Sequence, residues 1–102
     1  MTQGCAAPAQ TAHLPATVDL AREAVIQGTV VRGDVPVAGA YARLLDSTGE
    51  FTGEVVTSDE GIFRFFAAPG DWTIRVLAPG GVSIDSSITA AIGEVAAVEV
   101  AI

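Results

Sequence analysis

From Ala24 to Ile102, apolar and polar residues alternate in short runs that are separated by turn-forming residues. A two-residue repeat places successive side chains on opposite faces of a strand, so the pattern predicts β-strands and no helix. Seven strands are predicted, at residues 24–32, 40–46, 51–57, 62–67, 72–77, 82–89 and 95–102. Short strands at such regular spacing are typical of an all-β, antiparallel sandwich.

Glycine and aspartate supply the predicted turns, because both tolerate the dihedral angles that tight turns need and the chain has no asparagine. Gly28 is different, since it lies inside the first predicted strand. An isolated glycine in a strand is typical of a bulge, and we interpret Gly28 as one.

One face of the predicted strands carries the large apolar side chains. Trp72 and the pair Phe63 and Phe65 are expected to dominate the core, because burying a large apolar side chain contributes about 1.5–3 kcal/mol. Matching core positions on other strands are Ile26, Val30, Leu44, Val55, Ile74 and Val76.

If those residues point inward, three arginines point outward, each among apolar neighbours on its own strand. Arg43 lies beside Tyr41, Arg64 beside Phe66, and Arg75 beside Thr73 and Leu77; Glu54 and Val56 are outward on another strand. One interpretation is a ladder of cross-strand Arg–Glu and Arg–aromatic pairs. The other is a protein interface, with a homodimer as its simplest form, because Arg, Tyr and Phe are enriched where proteins bind proteins. The candidate interface residues are Tyr41, Arg43, Arg64, Phe66 and Arg75.

Residues 1–23 differ from the rest of the chain, since they are rich in Ala, Thr and Pro and have no sustained periodicity. We therefore predict an N-terminal arm over residues 1–23 and one sandwich domain over residues 24–102. A chain of 102 residues has room for one core.

The charge of the chain excludes some classes of partner. The net charge is −7, from twelve carboxylates and five arginines. Such a chain repels phosphate backbones and anionic membrane surfaces, so nucleic-acid and membrane binding are not expected. A single cysteine cannot form an internal disulfide, and no apolar run is long enough to span a bilayer. We predict a cytoplasmic protein.

Candidate catalytic chemistry is sparse. His13 is the only histidine, so no His/Cys metal site is predicted and no cofactor is implied. Most of the carboxylates lie at predicted turns, where solvated acids are usual: Asp34, Asp46, Glu50, Asp59, Glu60 and Asp71. Cys5 is the one distinctive group. It is either an exposed thiol without a role or a weak candidate for a sulfur acceptor, because thiolate reactivity needs a lowered pKa.

Four short motifs carry a resemblance to known sandwich domains: GTV at 28–30, PVAGA at 36–40, GIFRF at 61–65 and PGDWTIRV at 69–76. In these motifs the chain resembles the carboxypeptidase regulatory-like, prealbumin-like domains. The resemblance implies a transthyretin-like, Greek-key β-sandwich.

Over residues 14–77 the chain more closely resembles the small SseC-like family of actinobacteria, in LPATVDL, RLLDSTGEFTGEVV and FRFFAAPGDWTIR. Genes of that family neighbour a rhodanese-type thiosulfate sulfurtransferase, which implies a sulfur-metabolism context and such an enzyme as partner. Members also carry a cysteine near the N-terminus, followed by a small residue and proline, as Cys5 is followed here by Ala6, Ala7 and Pro8.

Three hypotheses of function follow from the residues and the resemblance. The first is a non-enzymatic accessory or protein-binding module of sulfur transfer. The second is a sulfane-sulfur carrier that uses Cys5 as persulfide acceptor. The third is a structural or small-ligand-binding sandwich that is unrelated to sulfur.

Overall fold

The computed structural model describes residues 24–102, which form eight β-strands in two sheets. The predicted arm, with Cys5 and His13, lies outside the described residues. The strands are β1 (Ala24–Arg32), β2 (Val35–Pro36), β3 (Tyr41–Leu45), β4 (Phe51–Val56), β5 (Ile62–Ala67), β6 (Gly70–Ala78), β7 (Val82–Ala90) and β8 (Val95–Ala101).

The first sheet is built around β1. Strand β5 pairs antiparallel with one edge of β1, and the two-residue strand β2 pairs antiparallel with its last residues. Strand β8 pairs parallel with β1, from Val25–Val95 to Val31–Ala101. The prediction of a purely antiparallel arrangement is therefore wrong for this pair. The chain leaves β7 of the other sheet and returns beside β1 in the same direction.

The second sheet has the order β4-β3-β6-β7, and all its pairs are antiparallel. Its β3–β4 turn is organised by Asp46, whose Oδ1 accepts hydrogen bonds from the backbone N–H groups of Thr48 and Glu50 at 2.9 and 3.0 Å. Next to this turn the β3–β4 ladder shifts its register between Leu44, which pairs with Gly53, and Leu45, which pairs with Phe51.

The two sheets pack face to face around one apolar core, which makes the fold an all-β sandwich. All seven predicted strands are present, with ends that differ by at most two residues. The seven-strand count is wrong by one, because β2 contains only Val35 and Pro36 and is too short to show an alternating pattern.

The core confirms most of the predicted interior positions. Phe63 is fully buried, and its ring centroid lies 6.1 Å from that of Phe65. The fully or almost fully buried set also includes Ile26, Val30, Leu44, Ile74, Val76 and Val100. Trp72 is only partly buried against this cluster, so it does not dominate the core as predicted. It lies near the start of β6, and its indole Nε1 donates to the Ala68 carbonyl at 2.9 Å.

Gly28 is required by close packing. The β1 ladder runs through it without interruption on both sides. A Cβ atom at this position would lie 2.6 Å from Cε2 of Phe63 and 2.8 Å from Cγ1 of Val98. The prediction of a bulge is therefore wrong, because the glycine makes room for the Phe63 ring inside the sandwich.

We expect Gly28→Ala to lower the free energy of unfolding by about 1–3 kcal/mol, because the added methyl group overpacks the core. Gly53→Ala is the matched control, since its Cβ would meet nothing closer than Phe65 Cε1 at 4.0 Å. Urea denaturation measures both variants. Equal stability of the two would contradict this account, whereas partial rescue of Gly28→Ala by Phe63→Leu would support it.

Thr57 connects the loop before β3 to the end of β4. Its buried hydroxyl accepts a hydrogen bond from the Ala40 N–H at 2.9 Å and donates to the Val37 carbonyl at 2.7 Å. The backbones of Thr57 and Ala40 are joined as well, by Thr57 N to Ala40 O at 2.9 Å. The side chain thus satisfies buried backbone groups that have no strand partner at these positions.

Thr57→Val should reduce the free energy of unfolding by about 1–3 kcal/mol, because it leaves a buried N–H without its acceptor. Thr57→Ser keeps the hydroxyl and serves as the conservative control. Thermal unfolding followed by circular dichroism compares the two. A Val variant as stable as the Ser variant would show that the hydrogen bonds contribute little.

Candidate functional site

The structure places the five candidate interface residues on two opposite faces. Tyr41, Arg43 and Arg75 lie on the outward side of the second sheet, whereas Arg64 and Phe66 lie on the outward side of the first sheet. The strand periodicity that we used sorts side chains into inward and outward. It does not show which of two sheets a strand joins. Because the five residues lie on opposite sides of the sandwich, they do not form one interface.

We call the outward side of the second sheet the arginine face. Its centre is a row of four charged residues that face one another across four strands. Arg43 is in register with Glu54 on β4 and with Arg75 on β6, and Arg75 is in register with Asp85 on β7. The row therefore reads negative, positive, positive, negative.

Each arginine of the row is paired with the acid on its outer side. Arg43 Nε lies 2.7 Å from Glu54 Oε2. Arg75 makes a two-pronged contact with Asp85, through Nε at 2.8 Å and Nη2 at 3.0 Å. Like charges directly opposite each other destabilise a sheet, so the flanking carboxylates offset the repulsion between the two guanidiniums. This is the cross-strand ladder that the sequence suggested.

The ionic row is open to solvent. The side chains of Arg43 and Arg75 are each 43% exposed, and exposed pairs of this kind contribute little to stability. The Arg43 guanidinium carbon also lies 6.0 Å from the centre of the Phe51 ring, which is itself 61% exposed. The charged row therefore contributes little to the stability of the fold, although all four of its side chains are paired.

An apolar row adjoins the charged one. Tyr41 is in register with Val56 and with Leu77, and Tyr41 and Val56 are each 48% exposed. Together with Phe51, these side chains place exposed aromatic and aliphatic surface on both sides of the guanidiniums. The sequence alone identified Tyr41 and the arginines as candidates. The strand register was required to show that Phe51 lies on the same face and in which order the charged residues follow one another.

The outward residues of the first sheet differ. Arg64 points away from Phe63 and Phe65, as predicted, yet it is only 3% exposed, so the expectation of an exposed Arg64 is wrong. Its Nε donates to Gln27 Oε1 at 2.9 Å, and burial lowers the pKa of its guanidinium. Phe66 is 42% exposed.

A shallow groove of about 450 Å³ lies near one end of the second sheet. Trp72 and Ile88 supply its apolar lining, and the Thr89 hydroxyl donates to Asp71 Oδ1 at 2.8 Å along its side. The remaining lining residues are Ser47, Thr73 and Ser87.

The turn carboxylates do not gather into a metal site. Within residues 24–102, no group of three or more His, Cys, Asp or Glu side chains is placed to hold a metal ion. Asp46 has its pKa lowered, first by the hydrogen bond from the Thr48 side chain and then by backbone N–H groups of its own turn. The same part of the chain contains no helix long and apolar enough to cross a membrane.

Comparison with known proteins gives a family and several uncharacterised relatives. A family model described as protein of unknown function (DUF1416) matches residues 5–102. Two uncharacterised proteins of Mycobacterium tuberculosis are each 59% identical over 78 residues, which is 76% of this chain and 78% of theirs. An uncharacterised protein of Mycolicibacterium smegmatis is 58% identical over 69 residues, 67% of this chain and 77% of its own.

Solved structures share the fold at low sequence identity. A dioxygenase domain from Streptomyces sp. SirexAA-E superposes with a TM-score of 0.61 at 11% identity, over 87% of this chain and 84% of the domain. BcpA, the major pilin subunit of Bacillus cereus, gives 0.58 at 14% identity, over 79% of this chain and 29% of the pilin. At these identities the similarity concerns the fold alone.

The Arg75–Asp85 pair makes a testable electrostatic prediction. Asp85 has its pKa lowered from 3.8, mainly by the hydrogen bond from Arg75. Arg75→Met should therefore return this pKa towards 3.8, as measured by carboxyl ¹³C chemical shifts against pH. Asp46 is the internal control, because its own turn sets its pKa.

The sign of the effect on stability follows from the lowered pKa. A carboxyl whose pKa is lower in the folded state stabilises the fold above its unfolded pKa, and this contribution is lost as pH falls through the folded value. The stability difference between wild type and Arg75→Met should thus shrink on acidification below pH 3.8. An Asp85 that titrates identically in both proteins would contradict the pairing.

Proposed function

Because the chain belongs to the DUF1416 family of proteins of unknown function, we propose its role from its geometry: a non-enzymatic protein-binding module that docks its partner through the arginine face. One observation carries the proposal: the exposed side chains of Tyr41, Val56 and Phe51 lie on the same face of one sheet as two adjacent guanidiniums. Tyr, Phe and Arg are the residues that interface centres favour.

The charged row suits recognition better than catalysis. Its carboxylates are partly open to solvent, and the pKa of Asp85 is lowered, whereas a carboxyl group that acts as general acid or base near neutral pH works best with a raised pKa. A guanidinium has five N–H donors. The Nε of Arg43 and the Nε and Nη2 of Arg75 engage their own acids, which leaves each group further donors to offer a partner's carboxylates or carbonyls.

The partner we propose is a rhodanese-type sulfurtransferase in the cytoplasm, and its basis is the SseC-like resemblance of residues 14–77. The same resemblance is the basis for proposing a transthyretin-like, Greek-key topology for the sandwich. The arginine face supports this proposal because its chemistry suits a protein partner. The partner would bury the apolar row, and the charged row would orient it.

The test is calorimetric titration of the full chain with a purified rhodanese-type sulfurtransferase from the same organism. Tyr41→Glu should weaken binding at least about tenfold, because it places a charge in the apolar row. Val95→Glu is the matched control, since Val95 is 38% exposed on the outward side of the other sheet. Arg75→Glu should behave like Tyr41→Glu.

Three outcomes would count against this proposal. Wild-type protein that does not bind the enzyme removes the sulfurtransferase as partner. Equal weakening by Tyr41→Glu and Val95→Glu removes the arginine face as the docking surface. A dimer in sedimentation velocity that Tyr41→Glu converts to a monomer would assign this face to a second copy of the chain.

The groove at Trp72 supports a second candidate function, the binding of a small ligand. Its volume of about 450 Å³ lies within the range of small-molecule pockets, and it combines an apolar floor with hydroxyl and carboxylate groups. Trp72 is the only tryptophan in the chain, so its fluorescence reports occupation of the groove directly.

A further inference from the structure

The second sheet ends in two edge strands of different character. Strand β4 has six residues, and the register shift between Leu44 and Leu45 interrupts its ladder with β3. Strand β7 has nine residues and pairs with β6 along its whole length without a shift. Among residues 24–102, β7 has a strand partner on one side only. Its outer edge is therefore a regular row of backbone N–H and C=O groups.

Strand β7 lacks most of the features that protect strand edges. Native edges are commonly guarded by proline, by bulges or by lysine. Strand β7 contains no proline or glycine, and the whole chain has no lysine. The outward side chains Ser83, Ser87 and Thr89 are small. The fourth outward residue, Asp85, is held by Arg75 in the two-pronged contact. The edge is thus accessible to another extended chain.

The apolar layer beneath this edge is incomplete. Ile84 and Ile88 point inward, in register with Val76 and Trp72 of β6. Val76 is fully buried, whereas both isoleucines are only partly buried, as is Val98 on β8. Because β7 and β8 lie against each other, these side chains belong to the same flank of the sandwich. A strand added beside β7 would cover them with its own inward side chains.

The charge of this flank determines which partner it suits. Residues 82–102 comprise β7, β8 and their connection, and they contain Asp85, Glu94 and Glu99 but no basic residue. A second copy of the chain would bring the same carboxylates to the edge, and like charges repel. A segment that carries lysine or arginine is attracted instead.

We propose that the outer edge of β7 binds an extended, basic segment of a partner protein by strand addition. The segment forms a backbone ladder with β7, and this ladder contributes most of the affinity. Its alternate side chains point in opposite directions. Apolar ones cover Ile84 and Ile88, and basic ones lie on the outward side with Asp85. The edge is separate from the apolar row at Tyr41, so the inference does not depend on the docking role of the arginine face.

Hydrogen exchange of the full chain tests the proposal. The probe is a capped nine-residue peptide in which lysine and valine alternate, so that it matches the length of β7. With saturating peptide, every second amide of β7 should exchange at least about tenfold more slowly, because its N–H group gains an acceptor. The amides of β4, the other edge of the same sheet, should exchange as they do in the protein alone.

Two further peptides separate the parts of the recognition. A glutamate–valine peptide of the same length should bind at least about tenfold more weakly, because the flank is acidic. A lysine–valine peptide with N-methyl groups on its central residues should lose affinity to a similar degree, because it cannot donate to a strand ladder. Equal binding of either peptide would contradict strand addition of a basic segment.

Variants of the chain locate the site. Ile84→Lys places a charge on the inward side of the edge and should weaken binding at least about tenfold. Thr52→Lys is the matched control, since it adds the same charge at an exposed position of β4. Tyr41→Glu should bind the peptide as the wild type does, so failure of the arginine face and failure of the β7 edge are distinguishable.

The exchange experiment also has outcomes that would overturn the proposal without any variant. One is the absence of binding at about 1 mM peptide. Another is slowed exchange at β4 and not at β7. Protection of β7 that rises with the concentration of the protein alone would assign the edge to a second copy. Protection that is already complete in dilute, peptide-free protein would show that the chain itself occupies the edge.

Discussion

The ring of Phe63 fills the space above Gly28, and this contact holds the first sheet in register. Phe63 belongs to β5 and Val98 to β8, and both press on the one position of β1 that has no side chain. Strand β1 is thereby locked to an antiparallel neighbour on one edge and a parallel neighbour on the other. A shift of one residue in β5 would direct the phenyl ring away from the core, and the same shift in β8 would do so for Val98.

The same register decides what the two outer faces present. Because side chains alternate strictly along each strand, burial of Phe63, Ile74 and Val76 obliges Arg64 and Arg75 to point outward from their sheets. On the second sheet, pairing of β3 with β6 then brings Arg43 beside Arg75, and the outer strands supply Glu54 and Asp85. The charge row is a consequence of strand pairing, and it leaves its apolar neighbours exposed.

The two faces are accordingly different surfaces with different chemistry. The arginine face combines exposed aromatic side chains with ion pairs that solvent screens, and this combination is the basis on which we propose that it contacts a partner protein. On the outward face of β1 and β5, by contrast, Phe66 is exposed but Arg64 is only 3% exposed, and electrostatic interactions are stronger in such a buried place.

The alternation of apolar and polar residues by itself determined the positions of seven strands, the inward set around Phe63, Phe65, Ile74 and Val76, and the outward direction of the arginines. That information is local, since each strand's two faces follow from its own sequence. Only the tertiary structure decided which sheet each strand joins, that β8 runs parallel to β1, and that Arg64 is covered while Arg75 is open. Those features depend on contacts between residues far apart in the chain, which a two-residue repeat does not encode.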